Sequence, residues 1–196
     1  MSKQDIATAA APWVVEQGLG YGQAKQRALR ELGLPPRTPL PDNDAVETAV
    51  RDYLAEYCVD SQPAELLALR RLALQWMRRL AAFRPHLGGA VWHGTANRLS
   101  DIYLQLFCDD EKTAEIALID MQVPYEPTTV TGLQNKPVEA LSFHVHCPEL
   151  DEPVGVHLLV NDFDDLRGAL VKDSQGRVPR GDLKAVEALL LKNGVD

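Results

Sequence analysis

From Gly88 to Leu104 the chain reads Gly-Gly-Ala-Val-Trp-His-Gly-Thr-Ala-Asn-Arg-Leu-Ser-Asp-Ile-Tyr-Leu, and no other stretch gathers as many residue types able to do chemistry. Glycines let a backbone turn tightly and bring amide donors against an anion such as a triphosphate. Gly89 and Gly94 are spaced for such a turn. His93 and Arg98 sit inside it, where either can meet an anion, and Trp92 is core, a packing lid or, if it faces a cleft, a surface on which a base can stack. Asp101 opens an apolar run, so its carboxylate is delivered to the start of a strand, where a hard cation can use it.

The same string resembles the signature of the polymerase-beta-like nucleotidyltransferase superfamily. That signature is Gly-Ser, a second glycine four residues after the serine, and then Ser-Asp-hydrophobic-Asp-hydrophobic. Gly89 takes the first glycine, Ala90 the serine, Gly94 the second glycine, Ser100 and Asp101 the Ser-Asp pair, and Tyr103 the second aspartate. The resemblance implies a cleft for an NTP with Mg²⁺, lined by Gly89, Gly94, Ser100 and Asp101, with a basic residue often standing where His93 does. Nucleotidyl transfer to an acceptor would follow, with aspartates two apart facing one side of a strand to hold the metal. Ala90 removes a hydroxyl and Tyr103 removes a hard anionic oxygen, and a phenol with an ordinary pKa of about 10 replaces a carboxylate poorly at Mg²⁺. Two readings therefore stand: a working transferase, or a catalytically degenerate member that binds a ligand or a protein partner through the same cleft. A working site needs a further carboxylate, and Glu126, Glu139 and Asp162 are the candidates.

His144, His146 and His157 suggest a different chemistry. If Cys147 pairs with Val154 across the turn 148–153, Phe143 faces Leu158 and Val145 faces Val156 on the apolar side, while His144 faces His157 on the other. Three imidazoles on one sheet face could bind a transition metal, or occupy the polar side of a half-exposed sheet beside acids.

These residues need elements to position them. Helical spacing of apolar residues marks 5–17, Tyr21 to Leu32, Ala45 to Tyr57 and 61–83, with a proline-rich linker at 34–42. The last of these helices carries an apolar stripe through Leu66, Leu69, Leu72, Ala73, Met77 and Leu80, with its arginines mostly off it. Beyond Pro85 the period shortens. Ala90 to His93, Ile102 to Phe107, 124–131, Val138 to Cys147 and Val154 to Val160 read as strands, and Glu111 to Asp120, 163–170 and 181–192 as helices. The expected fold is α+β, a nucleotidyltransferase-like mixed sheet flanked by helices over 61–196, with a helical region over 1–60. Asp109, Asp110 and Glu111 cap the helix that follows them.

Composition narrows the partners. The net charge of −8 argues against general nucleic-acid binding, which rests on neutralising phosphates, and the basic cluster Lys25, Arg27 and Arg30 is too sparse for a DNA-reading helix. Residues 66–98 hold six arginines and no acid, whereas residues 101–165 hold 2 bases against 14 acids, a net of −12. No run of eighteen apolar residues and no signal-like N-terminus is present, which points to a cytoplasmic protein away from the membrane. Cys58, Cys108 and Cys147 are oddly spaced for disulfides or structural zinc and read as free thiols. The N-terminal helices have two ways to bury their apolar faces: against the sheet, or against a second copy in a homo-oligomer.

Overall fold

The computed structural model describes residues 2–193 and has an α+β architecture. Contacts within the chain divide it into two compact units. One comprises the chain up to Glu65 together with Thr95–Leu99, and the other comprises Leu66–Gly94 and the chain from Ser100 onward.

The first unit is helical. Helix α1 (Lys3–Gln17) begins where the Ser2 hydroxyl accepts from the Asp5 amide and the Asp5 carboxylate accepts from the Ser2 amide, and it ends at Gly18 in the left-handed conformation. Helix α2 (Tyr21–Glu31) returns alongside it, and Ile6, Ala10, Ala24, Ala28 and Leu29 fill the seam. Asp42 caps α3 (Asn43–Tyr57) by accepting from Ala45 N at 2.8 Å, and Val46, Val50 and Leu54 pack on Ala7, Ala11 and Val15. Residues 95–99 are tied into this unit: Asn97 donates to the Val15 carbonyl at 2.7 Å, and Gln62 donates to the Ala96 carbonyl at 2.8 Å. Helix α4 (Gln62–Arg79) begins in the first unit and continues into the second.

The second unit is built on a five-stranded mixed sheet in the order β1-β2-β5-β4-β3. The strands are β1 (His86–Gly88), β2 (Ile102–Cys108), β3 (Glu126–Thr131), β4 (Pro137–Cys147) and β5 (Glu152–Asp162). Only β2 and β5 run parallel; the other neighbours are antiparallel. Side chains alternate along each strand, so one face of the sheet carries Leu87, Ile102, Leu104, Leu106, Leu141, Phe143, Val154, Val156 and Leu158, all buried. Trp76 of α4 lies against Phe143 on this face, with ring centroids 4.8 Å apart. Helices α5 (Gly89–His93), α6 (Lys112–Asp120), α7 (Leu166–Ala169) and α8 (Leu183–Lys192) complete the unit.

Three sequence expectations are corrected. Residues 90–93 are helical rather than extended, and the strand lies just before them at His86–Gly88. The apolar residues Ala90, Val91 and Trp92 look strand-like, but Gly89 (φ +68°) and Gly94 (φ +92°) supply left-handed backbone on both sides and close a short helical turn. Arg70, one of the α4 arginines read as mostly off the apolar stripe, is buried and donates to the Val91 and Trp92 carbonyls at 2.8 and 3.0 Å. It thereby satisfies carbonyls that the end of a short helix leaves open. The β4–β5 hairpin pairs Cys147 with Glu152, two residues away from the expected register, because its turn is the four residues 148–151, with Asp151 in the left-handed region.

Candidate functional site

The face of the sheet opposite the apolar core carries a polar row. Pairing places Gly88 beside Tyr103, Tyr103 beside His157, His157 beside Ser142 and Ser142 beside Glu126, so one residue from each of the five strands stands at the same level. Asp101 lies two residues before Tyr103, at the entrance to β2. It is joined to the row at its centre: His157 Nε2 is 2.8 Å from Asp101 Oδ2, and His157 Nδ1 is 2.7 Å from Ser142 Oγ. The Tyr103 ring stacks on the imidazole with centroids 4.8 Å apart and planes 24° from parallel.

The electrostatics follow from these contacts. The hydrogen bond from His157 holds the Asp101 carboxyl below the usual carboxylate range against the opposing effect of burial; the imidazole's charge, the Gly155 amide and His144 act in the same direction as the hydrogen bond. An ionised Asp101 is an acceptor, so the hydrogen of this bond is carried by His157 Nε2, while Nδ1 on the other side of the ring is hydrogen-bonded to the Ser142 hydroxyl. Burial, reinforced by the Asp101 charge, pushes the Tyr103 phenol up, which keeps it neutral near pH 7.

Gly155 is what lets Asp101 sit here. A Cβ at that position would lie 2.6 Å from Asp101 Oδ1 and 2.7 Å from its Cγ, too close for any real contact. A lone glycine within a strand marks such an approach.

The residues singled out in the sequence fall in different places. Gly89 begins α5 with an added Cβ position 3.7 Å from the Tyr103 ring, Gly94 ends that helix and His93 is its last residue. Ser100 precedes Asp101 directly. Arg98 belongs to the helical unit, where its backbone amide donates to the Glu65 carboxylate at 3.2 Å. His144 is opposite Gly155 and His146 opposite Pro153, and the exposed His146 lies 3.6 Å from Asp151. The observed register thus gives His157 a serine as its cross-strand partner instead of His144. Among the described residues no three His, Cys, Asp or Glu side chains are arranged to hold a metal ion.

Of the three candidate carboxylates, Glu139 and Asp162 point to the opposite face from Asp101, as strand alternation requires. Glu126 shares the face but stands three strands away, roughly 14 Å at the usual strand spacing. Mg²⁺ prefers about six oxygen ligands in near-octahedral geometry. Here it would meet one carboxylate already engaged by an imidazole, beside a neutral phenol. That set fits the ion poorly.

A Ser–His–Asp chain is also the layout of an activated serine nucleophile. The surroundings of Ser142 do not suit acyl transfer, which needs free N–H donors at the developing oxyanion. Strand β4 is paired on both edges at Ser142, and Glu126 adds a carboxylate beside it. The chain of hydrogen bonds therefore orients Asp101 and His157 and does not prepare Ser142 for attack.

Two residues of this arrangement escaped the sequence reading: Ser142 carried a faint signal as a polar residue between Leu141 and Phe143, and Gly155 as a glycine inside an apolar strand. A scan against models of known protein families finds no match, and a search of curated proteins finds no significant relative.

Proposed function

We propose that the chain is a nucleotidyltransferase-like module that keeps a ligand cleft on the polar face of its sheet without metal-dependent transfer, and that its ligand is a nucleotide or a close chemical relative. The observation that carries this reading is the engagement of Asp101 by His157 with Tyr103 stacked on the same imidazole. The position where the resemblance calls for a second metal-binding carboxylate holds an aromatic ring, and that ring is 44% exposed. A half-exposed ring supported from behind by an imidazole is a platform for a planar base, and stacking of this kind contributes about 1–3 kcal/mol per base. A cytoplasmic setting suits such a ligand and the free thiols Cys58, Cys108 and Cys147.

Thermal unfolding in the presence of each NTP, with and without Mg²⁺, tests the proposal. Ligand at a hundred times its Kd stabilises a native state by about 2.7 kcal/mol. For a chain of this size each kcal/mol raises Tm by roughly 2–4 °C. The expected result is a rise with at least one nucleotide that survives removal of Mg²⁺ and is lost in Tyr103→Ala. No rise with any nucleotide overturns the proposal. Nucleotide binding that requires Mg²⁺, or label transfer from an NTP, replaces it with the working transferase.

A further inference from the structure

A cavity lies away from the polar row, bounded by the turn at 81–86, helix α7 and the start of α8. Its volume is about 550 Å³, within the roughly 300–1,000 Å³ range of small-molecule sites. Ala81, Pro85, Leu166, Leu170 and Leu183 make most of its wall. Leu170 is 45% exposed, and Val171 beside it 66%, so an apolar surface is left facing solvent here. Exposed apolar side chains gathered at a concavity mark a binding surface more often than isolated ones do.

Charge distinguishes this cavity. Arg84 and Lys184 both line it, and among the described residues neither has a carboxylate within ion-pair distance. In a chain of net charge −8, two such cations on one cavity stand out against the acidic surroundings. The acid that also lines it, Asp182, already accepts from the Ala185 amide at 2.9 Å as the cap of α8. Arg84 is held in place: its guanidinium lies 4.2 Å from the centre of the Phe163 ring, and its carbonyl is 2.8 Å from His86 Nδ1. Its backbone is left-handed (φ +50°, ψ +58°), which costs a branched or long side chain about 1–2 kcal/mol and persists only where surrounding contacts enforce it.

We propose that this cavity binds a small amphipathic anion, an apolar chain or ring ending in a single carboxylate. The apolar body occupies the wall made by Leu166, Leu170 and Leu183, and the carboxylate lies between Arg84 and Lys184. The charge-assisted contact fixes the orientation, while burial of the body supplies most of the affinity. The site is separate from the nucleotide reading and does not depend on it.

Isothermal titration with decanoate, decanol and decyltrimethylammonium, each below its micellar concentration, reads both parts of the claim. Decanoate is expected to bind at least about tenfold more tightly than decanol, a difference of about 1.4 kcal/mol, with no binding of the cationic surfactant. Lys184→Gln, at an exposed position, and Arg84→Asn, with a residue that tolerates left-handed backbone, each weaken decanoate severalfold and leave decanol unchanged. Ala81→Phe at the rim weakens both. Equal affinity for decanoate and decanol, a decanoate affinity indifferent to Lys184→Gln, or failure of decanoate to bind at all overturns the proposal. Self-association of the chain that decanoate leaves unchanged but Ala81→Phe abolishes would assign the cavity to a second copy and overturns it equally.

Discussion

At Asp101 one carboxylate accepts from an imidazole and from the Gly155 amide, and the imidazole in turn is fixed by a serine. Hydrogen bonds to charged groups contribute about 1.5–3 kcal/mol when well buried, but the Asp101 side chain is 41% exposed and solvent screens it. Asp101→Asn should therefore cost about 1 kcal/mol at pH 7 by urea denaturation. The pH dependence has a definite sign. The folded carboxyl titrates below the unfolded one, so its contribution is complete above the ordinary aspartate value of about 4 and disappears as pH falls through the lower folded value. The stability gap between wild type and Asp101→Asn should thus be narrower at pH 3 than at pH 7. A constant gap would show that charge at this position does not contribute. The place of Asp101 at the entrance to a strand was legible from sequence because it opens an apolar run. Its pairing with His157 and Ser142 was not, because these come from β5 and β4, and cross-strand neighbours are a property of register.

Element by element, the long periodic segments were the readable ones. Helices α1 to α4 and the strands β2, β4 and β5 lie close to where apolar spacing puts them. Helix α5 was misread because five residues are too few to show a period, and because what closes it is remote in sequence: Arg70 reaches it from α4. This makes Arg70 a structural tie between the helix covering the apolar face and the turn leading to Asp101. Arg70→Leu keeps the apolar stem but leaves the Val91 and Trp92 carbonyls open, and should cost about 2–3 kcal/mol. Urea denaturation measures this, and an unchanged midpoint would mean that solvent replaces the guanidinium freely.

At the scale of the whole molecule the sequence separates a helical N-terminal region from an α+β remainder, as the overall architecture has it. What it concealed is that residues 95–99 return to the helical unit, so that the candidate motif is divided between two compact units. Local pattern carries no information about such a return. No helix among the described residues is long and apolar enough to cross a membrane. The net charge of −8 bears on the proposed ligand, since a nucleotide approaches a molecule of its own sign. Raising salt from about 20 to 300 mM shortens the screening length from roughly 20 Å to under 10 Å and should leave nucleotide affinity unchanged or improved. Steep weakening with salt, followed by titration calorimetry, would instead reveal a basic surface neutralising phosphate.

The four-residue turn 148–151 has a consequence for how this protein could diversify. A two-residue slip of the β4–β5 hairpin returns every side chain to its own face, with Phe143 meeting Leu158 in place of Val156, so the oily interior scarcely discriminates between the two alignments. The difference falls on the opposite surface, where His157 would exchange a hydroxyl neighbour for the imidazole of His144. Changes confined to the loop could in this way rewire the chemistry of the polar face while the hydrophobic interior is left as it was.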